Sequence, residues 1–146
     1  MTVTAAVNAT REVEAFGENR DGDQIRVTVA AGTDIPKNSI IKAADNRTGS
    51  QADGTGDVVL GVSRMDKEGD DPSTSLSVAT NTIEEFTASG AIVFGQRVKT
   101  ASGGTANLVM AATDADITSS YAIAFATALK TVATMERVQC RMRCLQ

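Results

Sequence analysis

Short stretches in which hydrophobic and polar residues alternate recur along most of the chain. The first begins at Gln24, where Ile25, Val27 and Val29 are separated by polar residues, the pattern of a half-buried strand. Clusters of Gly, Asp, Asn and Ser, such as the segment 46–57, lie between nearly all of these stretches and favour turns. The pattern predicts further strands at Ser39–Ala43, Val58–Ser63, Ser75–Thr80, Glu84–Ala88, Ala91–Lys99, Asn107–Met110, Tyr121–Leu129 and Arg137–Leu145.

These elements predict an all-β fold, a compact β-barrel or sandwich of short strands. The helical candidate is a short turn near Asp114–Ser119, in which Asp114 or Asp116 is a candidate cap, so at most one short helix is expected. A chain of 146 residues is close to the size of one domain. We therefore expect residues 24–146 to form a single β-barrel or sandwich domain.

Residues 1–23 differ from the rest of the chain in composition and in the pattern of apolar residues. They are polar, carry charges of both signs and show no sustained apolar period. This composition predicts an extended N-terminal arm that becomes ordered only by contact with a partner. The alternative is a first edge strand, because Val3, Ala5 and Val7 recur at every second position.

The strand predicted at Arg137–Leu145 separates two kinds of side chain. Cys140 and Cys144 share one face, and about 13 Å of strand between them exceeds the reach of a disulfide, so they are expected to be small buried hydrophobes. Arg137, Arg141 and Arg143 share the other face as the chain's one basic stripe. This stripe either faces solvent or binds an acidic protein partner.

A row of alanines occupies one face of the strand predicted at Tyr121–Leu129. Ala122, Ala124, Ala126 and Ala128 alternate there with bulkier residues. A flat alanine face lets a neighbouring sheet or chain approach closely. The strand is therefore either buried on both faces within one barrel or part of a subunit contact.

An internal duplication is a further hypothesis. Ile35–Ala44 aligns with Ile92–Ala101 through the first Ile, a β-branched residue before Lys, the Lys itself and the last Ala. Each copy is followed by a polar loop and an apolar strand, which two β-units related by a pseudo-twofold would explain. Four matches in ten residues is close to chance in such sequences, and two copies do not identify a solenoid.

The composition of the chain argues against several classes of function. The 14 basic against 18 acidic residues, a net charge of −4, argue against a general nucleic-acid binder. No histidine is present, which removes imidazole acid–base chemistry and Ser-His or Cys-His nucleophile pairs. Aromatic residues are only 3% of the chain, too few to wall a catalytic cleft. We expect no enzyme activity and no cofactor.

Acidic residues cluster in the predicted loops, as in the pairs Asp53/Asp57 and Asp114/Asp116. The spacing lacks the alternate ligands and distal Glu of a calcium loop, so no metal site is expected. The aspartates instead suit turns, where their side chains bond local amides. No signal peptide or apolar run of about 20 residues is present, so no membrane partner is expected.

The order of these features resembles the small capsid decoration, or cement, proteins of tailed phages. The resemblance covers about residues 22–146 and lies in the order and spacing of its segments. They are Gly22–Val29, Asp34–Lys42, Gly56–Ser63, Ala88–Val98, Ala122–Leu129 and Val138–Met142.

The resemblance implies a non-enzymatic structural protein of the virion. It would be made in the host cytoplasm, bind the outer surface of expanded heads as a homotrimer and cement the lattice of the major capsid protein. The arm would supply backbone hydrogen bonds to neighbouring capsid subunits. Its candidate contact residues are Thr2, Val3, Thr4, Val7, Arg11, Val13 and Phe16.

Two rival functions stay open at this point. One is another phage structural or adhesion module, such as a tail tube, a fibre base or a host-surface binding domain. The other is a small hydrolase or metal-binding protein that uses the loop aspartates.

Overall fold

A computed structural model describes residues 24–45, 47–101, 107–119 and 123–143. The predicted N-terminal arm lies outside these residues, and the boundary at residue 24 stays a prediction. The described residues form ten strands and one helix. They are β1 Gln24–Thr28, β2 Ile40–Asp45, β3 Thr48–Gln51, β4 Val59–Ser63, β5 Ser75–Ala79, β6 Ile83–Ala88, β7 Arg97–Thr100, β8 Leu108–Ala111, α1 Asp114–Ser119, β9 Ala126–Ala128 and β10 Arg137–Met142.

The strands close into two small five-stranded barrels. Strand order is β1-β3-β2-β4-β5 in the first barrel and β6-β8-β7-β9-β10 in the second, with the last strand pairing back to the first in each. The all-β prediction is confirmed, and of its two architectures the barrel is the one that forms. Closure pairs the strands all round and leaves no long sheet edge.

The two barrels repeat each other strand by strand. β1 pairs with β3 in parallel, as β6 does with β8, and the other pairs are antiparallel in both barrels. The register also repeats: Ile41 lies opposite Gly61 in the first barrel, and Val98 lies opposite Ala126 in the second. Corresponding residues can therefore be identified without any sequence alignment.

The turn that enters β2 recurs before β7. Ile35 forms an isolated bridge with Lys67, and Ile92 forms the corresponding bridge with Val132. The turn residue between bridge and strand has a positive φ in each copy, 67° at Asn38 and 88° at Gly95. Asn and Gly are the residues that adopt this conformation most readily. The duplication of Ile35–Ala44 in Ile92–Ala101 is thus confirmed as a structural repeat.

The barrel interiors correspond as well. The first barrel encloses Val27, Val29, Ile35, Ile41, Leu60, Leu76 and Val78. The residues at the same places of the second barrel are Phe86, Ala88, Ile92, Val98, Phe125, Val138 and Cys140, and all of them are buried. Phe86 and Phe125 meet edge to face with ring centroids 5.7 Å apart. Cys140 is fully buried and free, which confirms that it acts as a small buried hydrophobe, and this burial raises the pKa of its thiol to about 12; Cys144 lies outside the described residues.

The apolar cluster that fills the second barrel also includes residues of the first barrel. Ile40, Ala52, Val59 and Val62 lie on the outer side of that barrel and pack with the interior residues of the second. The two barrels therefore share buried apolar surface, which is the main favourable term in joining them. Whether residues 24–146 unfold as one domain stays a prediction.

The structure differs from the predicted strands in three places. β3 lies inside the segment taken for a loop, because its sequence Thr-Gly-Ser-Gln has no apolar alternation. Residues 91–96 form a bridge and a turn, so only the end of the predicted Ala91–Lys99 strand is extended pairing. The strand predicted at Tyr121–Leu129 shortens to β9, where Ala126 and Ala128 are buried.

The single helix of the described residues lies where it was expected, but Thr113 caps it. The Asp116 amide donates to Thr113 Oγ1 at 3.3 Å, and the Asp116 carboxylate accepts from the Thr113 amide at 2.7 Å. This reciprocal arrangement is a capping box, with Asp116 as its third helical residue. No helix among the described residues is long and apolar enough to cross a membrane.

Candidate functional site

The junction between the barrels is the most elaborate polar site in the described chain. Asn107, just before β8, uses both ends of its side-chain amide there. Its Oδ1 accepts from the Ile40 amide at 3.0 Å, and its Nδ2 donates to the Asn38 carbonyl at 2.6 Å. One side chain of the second barrel thus satisfies two backbone groups of the first.

The loop between β3 and β4 meets the end of β7. Gly56 donates its amide to the Thr100 carbonyl at 3.0 Å, and Asp57 donates its amide to Thr100 Oγ1 at 2.9 Å. That hydroxyl donates in turn to the Gly54 carbonyl at 2.9 Å. Because Thr100 is buried, these bonds are shielded from water and fix the loop on the second barrel.

A cavity of about 240 Å³ opens beside this junction. Asn38 and Val62 line it from the first barrel, and Glu84 and Phe86 line it from the second. Glu84 accepts from the Arg64 guanidinium and from Thr82 Oγ1, so its carboxylate ties the two barrels together. These partners give Glu84 a structural role in the junction.

A second ion pair lies at the rim of the cavity. Arg137 Nη2 lies 3.1 Å from Glu85 Oε1, and both side chains are exposed. An exposed pair of this kind contributes little to stability. Both carboxylates that line the cavity therefore have arginine partners.

The two barrels contribute different faces of the repeat to the junction, which we call one-sided for this reason. The first barrel contributes Asn38, Ile40 and Arg64, and the second contributes Glu84, Thr100 and Asn107. A twofold axis would make each contact occur twice, with corresponding residues exchanged. No hydrogen bond or ion pair between described residues joins the exchanged positions. These polar contacts therefore join different faces of the two barrels, a head-to-tail contact, and they give no support to the pseudo-twofold suggested by the sequence.

The loop aspartates bond lysines and backbone amides. In the first barrel Asp53 forms an ion pair with Lys42, and this hydrogen bond raises the pKa of Lys42 and lowers that of Asp53. Asp57 Oδ2 accepts from the amides of Asp53 and Gly54 at 3.1 and 2.8 Å. These contacts fit the prediction that the aspartates organise turns.

A corresponding pair occurs in the second barrel. Lys99, the counterpart of Lys42, lies 2.8 Å from Asp116. The hydrogen bond from Lys99, helped by those from Thr113, lowers the pKa of Asp116 to about 2. In the described parts of the chain, no three His, Cys, Asp or Glu side chains are grouped so that they could hold a metal ion.

The basic stripe predicted from the sequence is placed on the outer side of β10 and just beyond it. Arg137, Arg141 and Arg143 are exposed, while Val138, Cys140 and Met142 between them are buried. The ion pair of Arg137 with Glu85 partly neutralises one end of the stripe. The predicted arm contacts Thr2, Val3, Thr4, Val7, Arg11, Val13 and Phe16 all lie outside the described residues.

An exposed apolar surface at one end of the second barrel was missed by the sequence analysis. It consists of Val93, Phe94, Leu129 and Met135, of which Phe94 and Met135 are about two-thirds exposed, at 66% and 65%. The strand predicted over Ala91–Lys99 concealed it, since alternate residues of a strand would have been buried. The internal duplication could have indicated that Phe94 is exposed, because it aligns Phe94 with the charged residue Lys37.

The fold is similar to that of a known phage protein. The chain matches the crystal structure of the head fiber gp8.5 N base of bacteriophage phi29 with a TM-score of 0.52 and 12% sequence identity. The match covers 85% of this chain and 99% of that one. At this identity the likeness describes the fold. No protein-family model matches the sequence, and the search of curated proteins gives no match.

Proposed function

We propose that this chain is a structural protein of a tailed-phage virion, which binds the outer surface of the expanded head and cements the lattice of the major capsid protein. The observation that carries the proposal is the fold likeness to the phi29 head fiber base, nearly all of which the chain spans. The ordered resemblance to capsid decoration proteins over residues 22–146 supports the same placement. The protein would be made in the host cytoplasm and act on the virion.

The N-terminal arm is the proposed capsid-binding segment. A polar segment with some β-branched residues binds well by adding a strand to an exposed sheet edge, because its backbone supplies the hydrogen bonds. Thr2, Val3, Thr4 and Val7 suit such a strand, and Arg11, Val13 and Phe16 extend it. The basic stripe of Arg137, Arg141 and Arg143, whose side chains are all exposed, is a second proposed contact for an acidic protein surface.

The proposed assembly is a homotrimer on the head. Three linked copies raise the effective concentration of each weak contact, so binding is tight only where all three sites are presented together. An assembled lattice presents its sites in this way.

We also propose that the chain is not an enzyme and needs no cofactor, nucleic acid or membrane. Support comes from the sequence, which has no histidine. The carboxylates at the barrel junction and on the described loops near it add to this support, since they bond arginines, lysines and backbone amides.

A fibre base on the head is the second candidate, favoured by the same likeness because the phi29 protein is a head fiber base. A cement protein and a fibre base would both bind heads. They differ in what projects outward, since a fibre base carries a distal shaft. Electron microscopy of complete virions of the phage that encodes the chain separates them: low knobs alone support the cement role, and shafts that rise from the knobs support the fibre base.

The first test is co-sedimentation of purified protein with expanded, undecorated heads of the phage that encodes it, with unexpanded proheads as the control. We expect saturable binding to the expanded heads only, with a stoichiometry that reports copies per capsid subunit. Absence of binding to either particle would remove both head-associated roles.

The arm is tested in the same assay by deleting residues 1–20. We expect the shortened chain to keep its circular dichroism spectrum and to lose binding to heads. A chain with the same twenty residues in shuffled order is the matched control, because it keeps the composition and charge of the arm. Undiminished binding of the deletion variant would exclude the arm as the capsid contact.

A further inference from the structure

The one-sided junction leaves two surfaces of the repeat unused. The docking face of the first barrel, Asn38, Ile40 and Arg64, meets the receiving face of the second barrel, Glu84, Thr100 and Asn107. The second barrel has its own docking face, and the first barrel has its own receiving face. The strand registers identify their residues. The docking face of the second barrel is Gly95, Arg97 and Leu129, and the receiving face of the first barrel is Ile25, Ala43 and Arg47.

We propose that the docking face of the second barrel binds the receiving face of the first barrel in another copy of the chain. The contact repeats between chains the head-to-tail junction found within one chain. The proposal deepens the homotrimer of the proposed function, and it rests on that function for the number of copies.

Two matched changes in side chain support this partner. Within the chain, Arg64 forms an ion pair with Glu84. At the unused faces the corresponding residues are Leu129 and Ile25, so both members of the pair have become apolar. An unpaired charge against an apolar side chain would be costly, and a joint change avoids this cost. At this pair of positions the two unused faces are therefore complementary to each other.

The receiving face of the first barrel is apolar at a second position. Ala43 is the counterpart of Thr100, whose hydroxyl and carbonyl bind the β3–β4 loop. Both Ile25 and Ala43 are only partly buried, and they pack at the border of the first barrel's interior. Val93 and Phe94 supply further exposed apolar surface beside Leu129. Burial of these groups on association would be favourable.

Arg47 can supply one of the two hydrogen bonds that Asn107 makes in the junction. It occupies the position of Asn107 and shares its left-handed backbone, with φ of 56° against 51°. Asn107 donates to the Asn38 carbonyl, whose counterpart in the second barrel is the Gly95 carbonyl. A guanidinium carries only donors, and it suits a carbonyl acceptor of this kind.

The contact between chains is weaker than the junction within the chain. Ile40 and Val62, which pack into the shared cluster, correspond to Arg97 and Thr127 in the second barrel. Replacement of these apolar residues removes the central apolar part of the contact. A head-to-tail contact closes into a ring when its rotation allows. A ring of three chains would present six barrels in sequence, and each weak contact would be reinforced by the others.

The test measures self-association of the full chain without heads, so that its failure is distinct from failure of head binding. Sedimentation equilibrium is run up to about 1 mM protein, where contacts of only about 4 kcal/mol become populated. We expect reversible association of the unmodified chain and at least tenfold weaker association in Leu129→Arg and in Ile25→Glu. The double variant rebuilds the Arg64–Glu84 pair at the new contact and should recover most of the affinity. Met65→Arg is the matched control, because Met65 is exposed but lies on neither face.

Cross-linking checks the direction of the contact and does not depend on the charged variants. In a Cys144→Ser background, chains with Ile25→Cys are mixed with chains with Leu129→Cys and treated with a short bismaleimide. We expect dimers from the mixture and none from either variant alone, since a head-to-tail contact never brings like residues together. A monomeric chain at all concentrations, association unaffected by both charged substitutions, or cross-links between like residues would each overturn the proposal.

Discussion

The two barrels have the same register and matching interiors, yet their corresponding ends carry opposite chemistry. In the first barrel, Lys37 and Arg64 are charged, and the amide of Lys37 donates to Asp66. In the second, Phe94 and Leu129 take the places of the two cations, and the amide of Phe94 donates to Thr131 in the same way. The backbone therefore does not require either set of side chains. Under the proposed contact between chains, the difference between the ends reflects what each end binds.

A second difference lies inside the repeat and concerns a single Cβ. Gly61 and Ala126 occupy the same place opposite Ile41 and Val98. A Cβ at Gly61 would lie 2.2 Å from the Ala79 carbonyl oxygen, whereas the second barrel accommodates the Cβ of Ala126 at the same place. The same fold thus tolerates alanine in one copy and excludes it in the other.

The largest expected effect comes from Gly61→Ala, for which we expect a loss of about 3 kcal/mol or more of unfolding free energy, since the clash is with backbone. Ala126→Gly is the matched change in the other barrel, and we expect it to cost only about 0.5–1 kcal/mol through chain entropy. Urea unfolding of both variants gives the comparison. Equal losses would mean that the first barrel admits a Cβ at this place, against the expectation from the clash.

The sequence predicted most of the strands but could not predict how they close. Strands such as β1 and β10 have clean alternation because one side of each faces a barrel interior. β3 has none, and Gly49 within it is packed so closely that a Cβ there would lie 2.8 Å from Ile41 Cγ2. Such a strand forms because of the strands that it pairs with, and a local sequence pattern carries no information about this pairing.

The candidate contact surfaces were predicted less well than the fold. The sequence marked the basic stripe, since alternation alone places Arg141 and Arg143 outward. It did not predict the exposure of Phe94, because the pattern assigned Phe94 to a strand, whereas the structure has a turn there with a positive φ at Gly95. The direction of the barrel junction depends on Asn107 and Glu84, which contact residues far away along the chain.

The corresponding ion pairs of the two barrels should differ in strength. Side chains of Lys99 and Asp116 are 12% and 20% exposed, against 26% and 72% for Lys42 and Asp53. We expect Asp116→Asn to lower the melting temperature at neutral pH by a few degrees, and Asp53→Asn to lower it less. Asparagine keeps an acceptor for the Thr113 amide, so the change isolates the charge.

The effect of Asp116→Asn should also depend on pH in a defined direction. The pKa of Asp116 is lowered from 3.8 to about 2, so its carboxylate stabilises the fold above about pH 4. This contribution declines as the pH falls through that interval and is lost only below about pH 1, where the carboxyl is protonated in the folded state as well. Thermal melts at pH 7 and pH 2 test it: the difference between variant and parent should be much smaller at the lower pH. A constant difference would exclude the charge as its cause.

The smallest expected effect on stability is that of Phe94→Lys, which installs the first-barrel residue in the second barrel's turn. Because Lys37 already occupies this place and Phe94 is 66% exposed, we expect the unfolding free energy to change by less than about 0.5 kcal/mol. Self-association in the absence of heads should weaken, since the apolar surface beside Leu129 becomes charged. Urea unfolding and sedimentation equilibrium on the same sample measure both quantities. Loss of stability with unchanged association would assign Phe94 to the fold of the second barrel, whereas unchanged stability with weaker association would assign it to the contact between chains.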